Sequence, residues 1–183
     1  MMQDLQIREL INRLARLDAA TAWGNDLNPT QRAVLDYLGR ANRFSRSPSH
    51  VAEYLGTTRG TVSQSFKSLV QKNYVTEHRS ELDKRTIRFE FTSSGRDVSN
   101  ADNYLMDALN DCTDGEKDAL RSSLRAILGK VISKNKGRSF GLCKTCAHHL
   151  HTPDGGYCKL LAESLLPHEI HQICFEQETK CAK

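Results

Sequence analysis

The sequence predicts a mostly α-helical fold with one small β-hairpin, followed by a small cysteine-rich module. Apolar residues recur at three- and four-residue spacing through most of the first 133 residues, which is typical of amphipathic helices. Between Tyr74 and Thr92 the period is nearer two, as in strands. Five of the six cysteines lie in residues 138–183. We therefore expect one domain over residues 1–137 and a second unit over residues 138–183.

The first two helices are predicted from spacing and from a capping pair. Apolar residues from Leu5 to Leu17 form one stripe of a long amphipathic helix. Asn28 followed by Pro29 supplies a cap and a proline at the first helical position. The second helix is therefore expected to run from Pro29 to about Arg43.

A helix-turn-helix is predicted next. Ser49 is expected to cap a short third helix, residues 50–55, which stops at Gly56. Thr58 is expected to cap a fourth helix, residues 59–72. The lengths and the loop glycine suit the motif. The inward positions of the fourth helix are predicted to be Val62, Phe66, Leu69 and Val70.

A two-stranded wing and two closing helices complete the first domain. Residues 74–78 and 86–92 are predicted strands joined by a polar turn, with Ile87, Phe89 and Phe91 on one face. Helical spacing resumes over residues 96–110. A Thr113 cap with Glu116 at the capping-box position begins a last helix over residues 114–133.

Positive charge is concentrated in one window. The chain carries a formal charge of +4, and residues 57–88 alone hold seven Lys or Arg against three Asp or Glu, which is also +4. Residues 138–183 hold five of each and are neutral. A local basic patch favours a phosphate-backbone partner, and the neutral tail is not expected to touch it.

The wing carries a family resemblance. Asp83, Lys84 and Arg85, followed by an alternating strand and by Thr92 and Gly95, resemble the wing signature of MarR-type winged-helix regulators. The resemblance covers roughly residues 5–133 and departs from the family at Asn73, where a glycine is usual. It implies a symmetric homodimer, held by the first, fifth and sixth predicted helices, that binds double-stranded DNA at a palindromic operator.

The same resemblance implies that the fourth helix enters the major groove and the wing enters the minor groove. Residues opposite the inward face of the fourth helix are polar, and Gln64 and Arg59 have donors suited to base edges. The expected DNA-binding residues are Arg59, Thr61, Ser63, Gln64, Lys67, Ser68, Arg79, Lys84, Arg85 and Arg88. A polar face that instead binds a protein partner is the alternative.

Four cysteines of the tail predict a metal or cluster site. Cys143, Cys146, Cys158 and Cys174 have the spacing C-x2-C-x11-C-x15-C. A C-x2-C turn directs two sulfur atoms to one metal, and in a reducing compartment thiols favour metal binding over disulfides. We expect these four residues to be the ligands.

Two cofactors compete for these ligands. Structural zinc modules usually pair two knuckles, whereas this tail has one knuckle and two single cysteines, which favours an iron-sulfur cluster, most simply [4Fe-4S]. Zinc is the alternative, with His148, His149, His151 or Cys181 replacing one cysteine.

Together these features predict a cytoplasmic, DNA-binding transcription regulator that senses redox state or iron. The N-terminal residues mix charged with apolar side chains and do not resemble a secretory signal, and no segment approaches a membrane span. No catalytic arrangement of residues points to an enzyme. The tail follows the last helix through residues 134–138, so its signal is expected to act through the dimer helices. A zinc-stabilised regulator or interaction protein is the second hypothesis.

Overall fold

The computed structural model describes residues 2–20, 26–79, 87–99, 104–135 and 137–178 of the chain. In these residues the helices are α1 (Met2–Ala20), α2 (Pro29–Arg40), α3 (Pro48–Tyr54), α4 (Arg59–Gln71), α5 (Ser93–Ser99), α6 (Tyr104–Asn110) and α7 (Asp114–Lys134). The strands are β1 (Val75–Arg79), β2 (Ile87–Phe91), β3 (His149–Thr152), β4 (Gly155–Cys158) and β5 (Glu163–Leu165). None of the described helices combines the length and the apolar character that crossing a membrane requires.

Side-chain caps fix the starts of the helix-turn-helix. The Asn28 side chain accepts from the backbone N–H of Gln31 at 2.9 Å, and the Gln31 side chain accepts from the N–H of Asn28 at 3.1 Å, which is a complete capping box. Thr58 accepts from the N–H of Thr61 at 3.1 Å. Both predicted caps are confirmed.

The predicted cap of the third helix was wrong by two residues. Ser47 is the N-cap and accepts from the N–H of His50 at 3.3 Å. Pro48 then occupies the first turn, where a proline loses no helical hydrogen bond. Ser49 lies inside the helix, with its hydroxyl 3.0 Å from that of Ser47.

The core of the first domain lies between α2, α3, α4 and the wing. Val62, Phe66 and Leu69 of α4 are buried, as predicted, and the Phe66 ring stacks on Phe89 of β2 with 3.8 Å between centroids. Val70 was predicted to point inward but is 40% exposed. Ser65 takes the buried position instead, because its hydroxyl donates to the carbonyl of Thr61 at 3.0 Å and needs no solvent.

The wing is an antiparallel pair whose register runs from Val75 opposite Phe91 to Arg79 opposite Ile87. Its turn, residues 80–86, lies outside the described residues. At the base of the wing Asn73 has a φ of +58°, a left-handed conformation that glycine and asparagine tolerate. This conformation accounts for an asparagine where the resembled family usually has glycine.

Gly95 lies against the base of the wing. A Cβ at this position would come within 1.9 Å of the Tyr74 carbonyl oxygen, so only glycine fits. Thr92 donates to the carbonyl of Asn73 at 2.7 Å and accepts from the N–H of Gly95 at 3.0 Å. The helical prediction for residues 96–110 falls on α5 and α6, with residues 100–103 between them outside the described part.

The first and last helices of the domain expose their apolar stripes. Neither α1 nor α7 has a buried residue, although α7 begins with the predicted Thr113 and Glu116 capping box. The exposed apolar side chains on the two helices include Leu5, Ile7, Leu10, Ile11, Leu14, Leu17, Leu120, Leu124, Ile127, Leu128 and Val131. These stripes lack a covering element in the monomer that the structure describes.

The tail contains a three-stranded antiparallel sheet in the order β3-β4-β5, which the sequence did not predict. Gly155 has a φ of +134°, and a Cβ there would lie 2.3 Å from the carbonyl oxygen of Leu165. After Pro167 the chain forms a three-residue 3-10 turn, Glu169–His171, and then bridges through Ile173 to Ala41 and Leu142.

Candidate nucleic-acid interface and thiol cluster

The outer face of α4 is polar and mostly open to solvent. Arg59, Thr61, Ser63, Gln64 and Lys67 are exposed, as expected of residues that contact DNA. Ser68 is only partly exposed, and its hydroxyl accepts from the Gln31 side chain at 2.9 Å. Ser68 therefore joins α4 to α2 as well as facing the groove side.

A groove separates α4 from the wing. Ser63 and Lys67 of α4 line one side, and Glu77 and Arg79 of β1 line the other. Arg79 pairs with Glu77 at 2.8 Å, which neutralises part of the charge that the sequence assigned to DNA binding. Arg88 is exposed on β2, whereas Lys84 and Arg85 lie outside the described residues.

A second groove runs between the start of α2 and α4. It is lined by polar residues, among them Thr30, Asn28, Thr61 and Gln64. Of the residues that line it, the sequence places Thr61, Gln64 and Ser68 in the interface. The sequence predicts Asn28 only as a cap, and it gives no signal for Thr30.

Lys72 makes contacts within the domain and is not available on the basic surface. Its ammonium donates to the backbone carbonyl of Asp26 and, at 3.2 Å, to the Gln31 side chain. One of the seven bases in the charged window is therefore occupied by contacts within the domain. The accessible positive charge is correspondingly smaller than the sequence count.

The four predicted ligands, which we call the thiol cluster, come from three places in the tail. Cys143 and Cys146 flank a 3-10 turn closed by the bond from the N–H of Cys146 to the carbonyl of Cys143, at 2.9 Å. Cys158 ends β4, and Cys174 follows the bridging residue Ile173. The structure records no disulfide at any of these four residues.

Cys143 and Cys174 are brought together in the buried part of the tail. Both are 5% exposed and pack with Leu165, and Cys158 packs against this group. The Cys143 thiol donates to the sulfur of Cys174, which lowers the pKa of Cys174 to about 6 and raises the pKa of Cys143. Cys146 is equally buried and lies near enough to Cys143 to raise its pKa further through charge repulsion.

The donor set fits a soft metal by its chemistry, because it offers four sulfur atoms, three of which are buried. Among the described residues, however, no three His, Cys, Asp or Glu side chains already stand as a group that could hold a metal ion. The thiols would have to converge on binding. His148 is directed elsewhere, with its Nε2 atom 3.1 Å from Glu178, and Cys181 lies outside the described residues.

The tail packs on the helix-turn-helix. We call residues 41–47, between α2 and α3, the connector. Asn42 donates its backbone N–H to the carbonyl of Ile173 at 3.0 Å, and Ile173 donates to the carbonyl of Arg40 at 2.7 Å. Arg43 forms an ion pair with Glu169 and donates to the carbonyl of Ser164 at 2.7 Å. The tail therefore contacts the connector, whereas the sequence predicted that it acts through the dimer helices and did not predict these contacts.

Aromatic and charged residues close the other side of this interface. Phe175 stacks on His50 of α3 with 3.7 Å between centroids. The Arg138 guanidinium lies 4.0 Å from the centroid of the Phe175 ring and 3.6 Å from Glu53 of α3. Burial lowers the pKa of His50, so the ring is neutral at this contact near neutral pH.

Helix-turn-helix and wing together define the class of protein. The chain has a winged helix-turn-helix fold, and residues 25–86 match the family model described as MarR family. No curated protein matches the chain.

Solved structures share this fold at low sequence identity. FabT of Streptococcus pneumoniae, in complex with DNA, is 20% identical with a TM-score of 0.58, over 72% of this chain and 96% of that one. MepR of S. aureus, also with DNA, is 18% identical with a TM-score of 0.57, over 72% and 99%. The reduced form of MarR from E. coli is 19% identical with a TM-score of 0.52, over 68% and 95%. The fold is thus of the MarR type, and the family-model match ends before the tail.

Proposed function

We propose that this chain is a DNA-binding transcription regulator of the MarR type whose operator affinity is set by an iron-sulfur cluster on Cys143, Cys146, Cys158 and Cys174. One observation carries the first half of the proposal. α4 presents five exposed polar or basic residues beside a two-stranded wing that carries Arg79 and Arg88, in a fold whose solved neighbours include two DNA complexes. That arrangement suits insertion of a helix into the major groove.

The regulator acts as a homodimer on a palindromic operator. The apolar stripes of α1 and α7 support this, because exposed leucine and isoleucine on two adjacent helices favour burial against a second copy. A two-fold dimer would present two α4 helices to two half-sites, about one helical turn of DNA apart.

The thiol cluster supplies the regulatory half of the proposal. Four soft donors in a buried setting fit a cluster, and a cluster when bound would supply sensitivity to oxidants or to iron supply. This chain's own residues bind it and link it to the helix-turn-helix. A coupling of about 1–3 kcal/mol between the two sites would alter operator affinity about five- to 150-fold.

Zinc is the second candidate for the cofactor, and one observation favours it. The Cys143–Thr145 turn is followed directly by the β3-β4 hairpin that returns Cys158, and structural zinc modules combine a knuckle with such a hairpin. In that case the metal is structural, and the winged helix serves as a constitutive regulator or as an interaction module.

DNA binding is tested with duplexes selected by the protein from a random pool. We expect Gln64→Ala to relax sequence preference at one position, and Lys67→Ala to weaken all sequences and reduce the salt slope by about 1. Lys130→Ala, on the exposed surface of α7, is the matched control and should leave the slope unchanged. Equal, salt-insensitive behaviour of all three variants would exclude the DNA-binding role.

The cofactor is tested on protein purified without oxygen. An iron-sulfur protein should be brown, with iron and sulfide in the analysis, and Cys143→Ala or Cys174→Ala should remove the colour. A colourless protein with one zinc per chain would exclude the cluster and favour the structural metal.

A further inference from the structure

A buried polar network joins one predicted ligand to the connector. Asn42 follows α2, is fully buried, and donates from its Nδ2 to the Sγ of Cys143 at 3.3 Å. Its Oδ1 accepts from the Ser45 hydroxyl at 2.7 Å and from the N–H of Phe44 at 3.1 Å. One carboxamide therefore contacts both the thiol cluster and the turn that leads into α3.

Ser45 extends the network in two directions. Its hydroxyl accepts from the N–H of Phe175 at 2.8 Å, the residue after the predicted ligand Cys174. Its carbonyl accepts from the Tyr37 hydroxyl of α2 at 2.9 Å. Asn42 and Ser45 are both fully buried, so water cannot readily replace a bond that either of them loses.

The strength of the bond from Asn42 depends on the state of the sulfur. A neutral thiol is a weak acceptor, whereas a thiolate bound to a metal is a charged acceptor that strengthens and shortens an N–H bond. Hydrogen bonds to ligating sulfur atoms also alter the electronic properties of the metal centre. Metal binding to the thiol cluster would therefore strengthen the hydrogen bond from the Asn42 carboxamide, the same group that holds the connector through Phe44 and Ser45.

The connector is placed to pass this change to the DNA-reading helices. It ends at Ser47, the N-cap of α3, and α3 packs on α4. In the first turn of α3, just beyond the connector, His50 stacks on Phe175. The residues on either side of Cys174 therefore contact both the start of the connector, through Ile173 and Asn42, and the start of α3.

We propose that Asn42 is a positioning residue that couples occupancy of the thiol cluster to the order of α3 and α4, through its bonds to Cys143 and Ser45. This inference rests on the proposed metal centre. It replaces the dimer helices with the connector as the route by which the tail acts on the helix-turn-helix.

The test is amide hydrogen exchange on the full-length protein, metal-free and after anaerobic reconstitution with iron and sulfide or loading with Co²⁺. In the wild type, loading should slow exchange in α3 and α4 about tenfold. Asn42→Asp keeps the acceptor for Ser45 and Phe44 but removes the donor to Cys143. The centre should still assemble on the four cysteines, while the effect of loading on α3 and α4 falls at least threefold.

A spectroscopic readout separates positioning from general damage to the fold. The sulfur-to-cobalt absorption band should move in Asn42→Asp, because the hydrogen bond to Cys143 is lost. Asn110→Asp, the same substitution on the exposed end of α6, should show neither change. If Asn42→Asp does not fold, Ser45→Ala, which cuts the link from Asn42 to Phe175, should show the same reduced effect of loading on α3 and α4.

The outcomes distinguish the inference from the proposal on which it rests. A wild-type protein that takes up neither centre overturns the proposed metal site, and the coupling with it. A wild type that loads, with a variant that loads and retains the full exchange effect and an unmoved band, overturns only the role of Asn42.

Discussion

The two units of this chain are held together by different means. Among the described residues, the winged helix contributes thirteen aliphatic and aromatic residues to one buried cluster, including Phe66, Leu35 and Val62. The buried cluster of the tail consists of Cys143, Leu165 and Cys174. The apolar burial that stabilises the first unit is thus largely missing from the second, where sulfur atoms take its place.

The tail is stabilised in part by its contacts with the winged helix. Ile173 belongs to the apolar cluster of the winged helix although it comes from the tail. Units of roughly 40 residues usually need a metal, a disulfide or a partner to fold. Docking on the connector supplies a partner, and the thiol cluster is suited to supply a metal site. We expect metal to act mainly on the tail and, to a smaller extent, on α3 and α4 through the connector.

The largest expected effect is the loss of the metal. Structural metal sites contribute on the order of 10 kcal/mol to the folding of small modules, so stripping the centre or introducing Cys146→Ser should abolish amide protection in β3, β4 and β5. The helices of the winged helix should stay protected, with exchange in α3 and α4 faster by only about tenfold, the effect transmitted through the connector. Cys112→Ser, outside the thiol cluster, is the control. A tail that stays protected after chelation would show that its fold needs no metal.

A substitution in the core of the winged helix should destabilise the winged helix first and the tail as a consequence. Phe66→Ala removes the ring that stacks on Phe89 and should cost about 3–5 kcal/mol of unfolding free energy, measured by urea denaturation. Because the tail docks on this unit, its protection should fall as well. Val70→Ala, at the 40% exposed neighbour, should cost roughly 0.5 kcal/mol. Loss of helix protection with an unaffected tail would mean that the tail folds independently.

The docking interface is expected to give a smaller effect. Glu169→Gln keeps an acceptor for the N–H of Leu166, bonded at 2.8 Å, but removes the ion pair between the buried carboxylate and Arg43. A charged hydrogen bond contributes about 1.5–3 kcal/mol, and the partial exposure of Arg43 places the expected loss near the lower end.

The exchange rates of the connector and of residues 163–175 measure this loss. Glu163→Gln is the control, since its contact with Arg43 is 3.6 Å and its side chain is half exposed. Equal effects of the two substitutions would show that burial of Glu169 adds nothing to docking.

Local signals in the sequence predicted most of the winged helix. Asn28, Pro29 and Thr58 act within one helical turn, and the spacing of Val62, Phe66 and Leu69 reflects one face of one helix. The prediction failed for the N-cap of α3, where Ser47 and Ser49 were both possible caps. It also failed for Val70, which lies at the edge of the inward face of α4 and meets no buried partner. Such choices depend on packing that spacing alone does not contain.

For the tail, the sequence allowed a prediction about its chemistry but not about its strands. The cysteine spacing indicated a metal site, which stays a prediction, but the strands β3 to β5 are too short to show a period. The bond between Asn42 and Cys143 joins residues 101 positions apart. Nothing near Asn42 in the sequence marks it as a neighbour of a sulfur atom, so only the fold could reveal the connector as the docking surface.

The smallest expected effect tests whether the two units respond separately to a local change in the DNA-reading helix. Thr58→Ala removes the N-cap of α4 and should cost about 1 kcal/mol, because the N–H of Thr61 loses its acceptor. Thr57→Ala, one residue earlier, leaves this cap in place and serves as the control. Exchange should accelerate most in the first turn of α4, because the capping bond lies within a single turn, and more weakly in β3, β4 and β5 of the loaded protein, because coupling between linked equilibria is reciprocal. Exchange in these strands that stays wholly unchanged would indicate that the connector does not couple α4 to the thiol cluster.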